Sequence, residues 1–190
     1  MSRLQISARL AAFALFLFTT GCAFLPPPPP PKPPTPEPPR KQSYWAGDGV
    51  TGEPSILISL SEQRAHFFKG RKEVGQAQIS SGKKGFPTPT GEFKVIQRDR
   101  NHVSNLYGDF VDESGVLQSN VDITKEKPPE GATFQGAKMP FFLRFHGGSG
   151  MHSGRLPGRP ASHGCVRLPR FMAEHFFGNA PMGTPVIVKP

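Results

Sequence analysis

Two histidines and a cysteine near the end of the chain could form the centre of a thiol-dependent site. The cysteine is Cys165, and the histidines are His152 and His163. A thiol attacks a carbonyl carbon as its thiolate, which is scarce at neutral pH unless an imidazole or backbone N–H groups stabilise it. These residue types at this spacing therefore predict a cysteine nucleophile activated by a histidine.

Either histidine could be the general base, and the sequence favours His152. His163 is two residues from Cys165, but a turn at Gly164 would break the shared direction that a strand would give their side chains. His152 comes from a separate segment, as a general base usually does, and it needs a third group to fix its tautomer. Ser153 is expected to orient it through its hydroxyl or its main-chain carbonyl.

The residues around the thiol could hold a substrate. The N–H groups of Gly164 and Cys165 are candidate oxyanion donors, and a glycine lets the backbone approach a substrate closely. His163 could contact the substrate or oxyanion, or it could hold the turn by hydrogen bonding. Ser162 is expected to cap the turn and could hydrogen-bond a substrate. Arg167 could pair bidentately with a substrate carboxylate or hold a loop in place.

A zinc site is the competing interpretation of these residues. His152, His163 and Cys165 could ligate zinc, but a His-x-Cys pair lacks the close cysteine pairs or helical histidine pairs of common zinc sites. We therefore expect neither a metal nor an organic cofactor.

The order His152-Ser153, followed by Ser162-His163-Gly164-Cys165-Val166-Arg167, resembles the signature of the L,D-transpeptidase catalytic domain (the YkuD-like family). Thr88-Pro89-Thr90-Gly91-Glu92-Phe93 is similar to a second element of that family, and residues 183–188 resemble its closing strand. The resemblance extends over roughly residues 55 to 189. Two departures are a shorter insert between His152 and Cys165, and phenylalanines at 141–142, where a tyrosine is expected near the acceptor.

The resemblance implies a β-sandwich-like fold and attack by Cys165 on a peptidoglycan stem tetrapeptide, with the terminal D-alanine leaving. Transfer of the thioester to an amine of a neighbouring stem would give a 3→3 cross-link. Water as acceptor would instead make an L,D-carboxypeptidase or amidase, and a protein amine would attach an envelope protein to the wall. A non-catalytic wall-binding lipoprotein is a further alternative, but such a protein would be expected to lose Cys165 or His152.

The N-terminus resembles an export signal. Within residues 1–21, two arginines precede an apolar run at 10–18, which is shorter than the roughly 20 residues that span a bilayer. Residues 19–22 resemble a bacterial lipobox, so Cys22 is expected to be lipidated and to attach the protein to a membrane. Ala23 resembles the outer-membrane sorting signal of a Gram-negative cell, which predicts a periplasmic, outer-membrane lipoprotein.

A proline-rich segment follows, in which eleven of the fourteen residues from 26 to 39 are proline. Such a run adopts extended polyproline II at about 3.1 Å per residue and would hold a domain on the order of 40 Å from its anchor. We therefore expect a signal peptide at 1–21, a lipidated N-terminus and linker at 22–48, and a catalytic domain at 49–190. The formal charge of +9 suits a polyanionic neighbour, but no nucleic-acid-binding motif is present.

Many short strands, separated by turns, and few helices predict a mostly β domain from residue 55 onward; the strand at 56–60 is an apolar, buried one, and 74–80 alternates. The expected strands are 56–60, 65–68, 74–80, 93–96 and 141–145. The polar stretch 101–138 is expected to be a lid or binding loop, or an inserted hairpin around Gly115. One short helix is expected from 169 or 170 to about 177, ended by Gly178.

Overall fold

The computed structural model describes residues 42–190. The expected signal peptide, the lipidation at Cys22 and the proline-rich segment 26–39 lie outside the described residues. None of the helices in the described part is long and apolar enough to cross a bilayer.

The described chain folds into two sheets and one helix. In chain order the strands are β1 (Tyr44–Trp45), β2 (Pro54–Ser59), β3 (Arg64–Lys69), β4 (Lys72–Gln78), β5 (Gly91–Lys94), β6 (Gln97–Asp112), β7 (Gly115–Asp122), β8 (Thr133–His146), β9 (Ser149–Ser153), β10 (Val166–Leu168) and β11 (Pro185–Lys189), and the helix α1 is Arg170–Asn179. The first sheet has the order β1-β4-β3-β2-β11-β5, and the second has the order β10-β9-β8-β6-β7. The prediction of a mostly β fold with one helix near the C-terminus is confirmed.

The core lies between the two sheets and α1, and alternate strand residues fill it. Ile56 and Ile58 of β2 are buried, and Phe67 of β3 packs edge-on against Phe176 of α1 with ring centroids 5.0 Å apart. Because Phe67 and Phe176 are fully buried, replacing either with alanine would cost roughly 3–5 kcal/mol of folding free energy. The second sheet joins the same core through residues such as Met151.

The stretch 101–138 is largely regular. It is not an irregular loop: the alternative of a hairpin turning near Gly115 is confirmed, because β6 and β7 pair antiparallel and β8 follows. Most side chains of β7 are exposed, the apolar Val116 and Leu117 among them, so the strand lacks the alternation of buried apolar and exposed polar residues that marks a strand in a sequence.

The ordered sheet also begins earlier than the expected boundary at residue 49. Strand β1 pairs with β4, although it lies in the segment expected to be a linker. The Trp45 ring stacks on His175 at 4.7 Å and meets Phe67 edge-on at 5.3 Å. Burial of this large aromatic surface stabilises the packing of β1 on the domain.

Candidate active site

The parallel pairing of β9 with β10 brings candidate residues of the two strands onto one face. Met151 pairs with Val166, and both are buried in the core. Because successive strand residues face opposite sides, the paired residues His152 and Arg167 lie on the other face. Cys165 immediately precedes β10, and its Sγ lies 3.7 Å from the main-chain carbonyl oxygen of Gly148, just before β9. The thiol and the imidazole therefore belong to neighbouring segments of the sheet.

His152 is held as a neutral imidazole of one tautomer. Its side chain is buried, with 6% of the residue exposed, and its Nδ1 lies 2.9 Å from the main-chain carbonyl oxygen of Ser153. A carbonyl only accepts, so Nδ1 carries the proton and Nε2 keeps its lone pair. Burial lowers the pKa of His152 to about 4, opposed by that hydrogen bond and assisted by the charge of Arg167. His152 can therefore accept a proton at neutral pH.

Cys165 is a free, partly exposed cysteine that rests as a thiol. Burial raises the pKa of Cys165, although a backbone hydrogen bond from Gly150 and the charges of Arg144 and Arg167 act in the opposite direction. Its S–H donates to the carbonyl of Gly148 at 3.7 Å. Because both the thiol and the imidazole are neutral at rest, attack on a carbonyl would require proton transfer to a base as the bond forms.

Ser162 organises the turn that carries the candidate nucleophile. Its hydroxyl donates to the carbonyl of Cys165 at 2.5 Å and accepts the N–H of Gly164 at 3.1 Å. Gly164 has φ 110°, a conformation that favours glycine. The expectation that the Gly164 N–H faces an oxyanion is not met, because this buried group is bonded within the turn. The Cys165 N–H is then the candidate donor from this turn.

Thr88 supports the same turn from a distant loop. Its buried hydroxyl donates to the carbonyl of Gly164 at 3.0 Å and accepts the N–H of Gly82 at 2.9 Å. The backbones of the two segments also pair, since the Lys83 N–H donates to the Ser162 carbonyl at 3.0 Å. The sequence marked Thr88 only as part of a motif, and this supporting contact was missed.

The His163 ring packs between two aromatic rings. It stacks on Tyr107 with centroids 4.5 Å apart and planes 6° apart, and it meets Phe86 edge-on at 4.6 Å. Burial lowers the pKa of His163, and the charges of Lys83 and Arg167 lower it further. These contacts favour the interpretation of His163 as a residue that holds the turn.

A tyrosine lies beside the site, but it comes from β6. Burial is the largest cause of the raised pKa of Tyr107, and the charges of Asp122 and Cys165 raise it further. The phenylalanines at 141–142 supply no hydroxyl; Phe141 belongs to the core, and Phe142 packs 6.3 Å from the His152 ring. The sequence carried no signal for Tyr107, because only the sheet pairing brings it to the thiol.

In the described part of the chain, no group of three or more His, Cys, Asp or Glu side chains is arranged to hold a metal ion. His152, His163 and Cys165 do not form such a group; the Nδ1–H of His152 donates to a carbonyl, and the His163 ring lies between aromatic neighbours.

Comparisons with known proteins agree with this fold. The family model of the L,D-transpeptidase catalytic domain (YkuD) matches residues 53–188. Probable L,D-transpeptidase 3 of Mycobacterium tuberculosis is 28% identical over 144 residues, which are 75% of this chain and 47% of that protein. The chain therefore spans about half the length of this curated relative.

Two solved structures share the architecture at low identity. An L,D-transpeptidase from Mycobacterium smegmatis has a TM-score of 0.57 at 20% identity, covering 73% of this chain and 59% of that one. The structure of LD transpeptidase LdtMt1 in complex with imipenem has a TM-score of 0.56 at 20% identity, covering 72% and 58%.

Proposed function

The chain belongs to the L,D-transpeptidase catalytic domain family, and from that premise we propose that it is a peptidoglycan L,D-transpeptidase that forms 3→3 cross-links through a thioester on Cys165. The observation that supports the proposal is the β9–β10 pairing, which brings the segment that carries Cys165 next to the strand that carries the singly protonated His152. A nucleophile and an oriented base on adjacent strands are the minimum that acyl transfer to a thiol requires.

In the acylation step, the Cys165 sulfur attacks the carbonyl carbon of the third residue of a stem tetrapeptide while Nε2 of His152 takes the thiol proton. The resulting oxyanion accepts a hydrogen bond from the Cys165 N–H. The amide C–N bond then breaks, and His152 gives its proton to the amine of the departing D-alanine. The product of this step is a thioester and neutral His152.

In the second step, an amine of a neighbouring stem attacks the thioester carbonyl. His152 takes a proton from the attacking amine, the C–S bond breaks, and the sulfur recovers a proton. Arg167 is positioned to bind a substrate carboxylate, whereas Ser162 and His163 hold the nucleophile turn. The Ser153 carbonyl sets the tautomer that both steps need.

The proposed location is the periplasmic side of the outer membrane, with the protein anchored through lipidated Cys22. The lipobox-like residues before Cys22 and the proline-rich segment after it support this location. A tether of that kind would let a membrane-bound domain reach the wall. Metabolic labelling with a palmitate analogue tests it: labelling of the full chain that disappears in Cys22→Ser supports lipidation, and equal absence of label in both contradicts it.

Muropeptide analysis of cells expressing the wild type or Cys165→Ala tests the reaction. New 3→3 cross-links that depend on Cys165 support the proposal. Cys165-dependent tripeptides without cross-links would indicate water as the acceptor, and Cys165-dependent coupling of an envelope protein to wall fragments would indicate a protein acceptor. Unchanged cross-links and unchanged tetrapeptide and tripeptide levels would overturn the thioester proposal.

Acylation by imipenem is a direct test of the nucleophile. The chain has two cysteines, which gives a matched pair of variants. Mass spectrometry should show one adduct on the wild type and on Cys22→Ser, and none on Cys165→Ala. An adduct that persists in Cys165→Ala would mean that Cys165 is not the nucleophile.

A further inference from the structure

Four basic side chains surround the proposed thioester site. Arg167 is paired with His152, and Arg144 with Gly150. The Lys83 main chain bonds to that of Ser162, and the ammonium groups of Lys83 and Lys125 lie over the ring of Phe86, which packs against His163. Their charges act on Cys165 or on His163. These residues come from four separate segments of the chain. Their convergence is therefore a product of the fold rather than of one basic stretch.

Most of this charge is not neutralised by the protein. Lys125 pairs with Asp122 at 3.2 Å. Arg144 donates to the side-chain oxygen of Gln97 at 2.6 Å and to the carbonyl of Gly147 at 2.7 Å, which are both neutral acceptors. Across residues 42–190, no carboxylate lies within 4.0 Å of the basic group of Arg144, Arg167 or Lys83.

Arg167 is the best placed of these cations to bind a ligand. It is half-buried, and burial lowers the pKa of its guanidinium. Its stem is packed against the backbone of Gly154, where an added Cβ would lie 3.0–3.2 Å from three Arg167 side-chain carbons. A partly desolvated guanidinium with an ordered stem and no acid partner gains from an incoming carboxylate, which it can bind through two hydrogen bonds.

We propose that this site selects stem peptides whose third residue, the one that Cys165 attacks, carries a free side-chain carboxylate rather than a carboxamide, with Arg167 as the main determinant and Lys83 and Arg144 as further specificity residues. The inference rests on the proposed function and adds the substrate class. A carboxamide keeps the shape of the carboxylate but removes the negative charge and one acceptor. It would leave the unneutralised cations without a partner, which disfavours the amidated stem.

The test uses two synthetic tetrapeptides that differ only in this carboxylate or carboxamide. D-alanine release by the full chain should favour the carboxylate by roughly tenfold or more in kcat/KM, as expected for a charge-assisted pair. The preference should shrink in Arg167→Gln, Lys83→Gln and in high salt, with Arg167→Lys intermediate. Arg170→Gln is the matched control, because Arg170 is exposed, lies on α1 and pairs with Glu174; it should keep the full preference.

Binding of the same peptides to full-length Cys165→Ala, measured by calorimetry, separates selection from chemistry. Tighter binding of the carboxylate form that weakens in Cys165→Ala/Arg167→Gln supports the inference. Equal turnover and equal binding of the two peptides would overturn it while leaving the proposed function in place. A preference that persists in the Arg167, Lys83 and Arg144 glutamine variants would also overturn it, whereas binding without Cys165-dependent turnover would count against the proposed function instead.

Discussion

The Nδ1 atom of His152 lies 2.9 Å from the main-chain carbonyl oxygen of Ser153, the next residue in the chain. The sequence left open whether the hydroxyl or the carbonyl of Ser153 orients the imidazole. Because the carbonyl belongs to the backbone at the end of β9, the orientation does not depend on the identity of the side chain at 153. The main chain of β9 therefore fixes the tautomer of the buried His152 imidazole.

Substitutions of His152 and of Ser153 should therefore have very different effects on activity. We expect His152→Gln to lower kcat/KM for D-alanine release by about 10²–10⁴-fold, because the base that takes the thiol proton is lost. Ser153→Ala keeps the carbonyl and should stay close to the wild-type value. If Ser153→Ala lost as much activity as His152→Gln, the hydroxyl would be the orienting group.

Burial of neutral His152 should make the fold less stable in mild acid. The pKa of His152 falls from an ordinary 6.5 to about 4 in the folded state, so between these values the unfolded chain binds more protons and stability falls as the pH falls. The full effect is about 3 kcal/mol, and below pH 4 this group contributes no further loss. Urea denaturation at pH 7 and pH 4.5 measures it.

Variants of His152 and His163 test whether these two histidines cause the loss of folding stability at low pH. His152→Gln should remove most of the difference between pH 7 and pH 4.5, and His163→Gln should remove part of it because burial also lowers the pKa of His163. The lowered pKa values of Asp112 and Asp122 act below about 3.8, outside this window. An unchanged difference in both histidine variants would contradict the assignment.

Cys165 should react slowly with alkylating agents at neutral pH. Burial raises the pKa of Cys165 above its ordinary 9.0, so the rate of alkylation by iodoacetamide should still be rising at pH 9, without a plateau near neutrality. The measurement is made on Cys22→Ser, which leaves one thiol. Arg144→Gln should shift the profile to higher pH, because a charge that favours the thiolate is removed. A plateau at neutral pH would indicate a resting thiolate.

Sequence patterns predicted the strands and the helix whose formation depends mainly on neighbouring residues. The apolar run at 56–60 and the segment 65–68 were predicted as strands and match β2 and β3, whose buried residues alternate with less buried ones. The helix was predicted from Pro169 and Gly178 and ends one residue beyond that glycine, at Asn179. The sequence allowed a hairpin around Gly115 but did not give the bounds of β6 and β7, since the apolar residues of this hairpin are largely exposed and do not alternate with polar ones.

The candidate site likewise contains residues that the sequence could identify and residues that it could not. Cys165 and His152 could be proposed from the sequence by their chemistry, because few residue types can act as nucleophile and base. Tyr107 and Thr88 reach the site only through long-range pairing, which no local spacing encodes. The engagement of the Gly164 N–H by Ser162 also depends on the conformation of the turn, so the sequence could propose that donor but could not exclude it.

Thr88 offers a test of how far the nucleophile turn depends on a remote loop. Thr88→Val keeps the shape of the side chain and removes a hydroxyl that accepts the Gly82 N–H and donates to the Gly164 carbonyl. Leaving these two buried groups unpaired should cost about 1–3 kcal/mol of unfolding free energy, measured by urea denaturation. D-alanine release should fall as well, because the Gly164 carbonyl loses the contact that fixes the turn beside Cys165.

Thr90→Val is the matched control, since Thr90 is exposed and two residues away. The same chemical change there should alter the unfolding free energy by no more than about 0.5 kcal/mol. Thr88→Ser should recover most of the lost stability and activity, because its hydroxyl can make both hydrogen bonds. Equal effects of the two valine variants would mean that the hydroxyl of Thr88 does not support the turn, and that the backbone pairing between the two segments suffices to position the nucleophile.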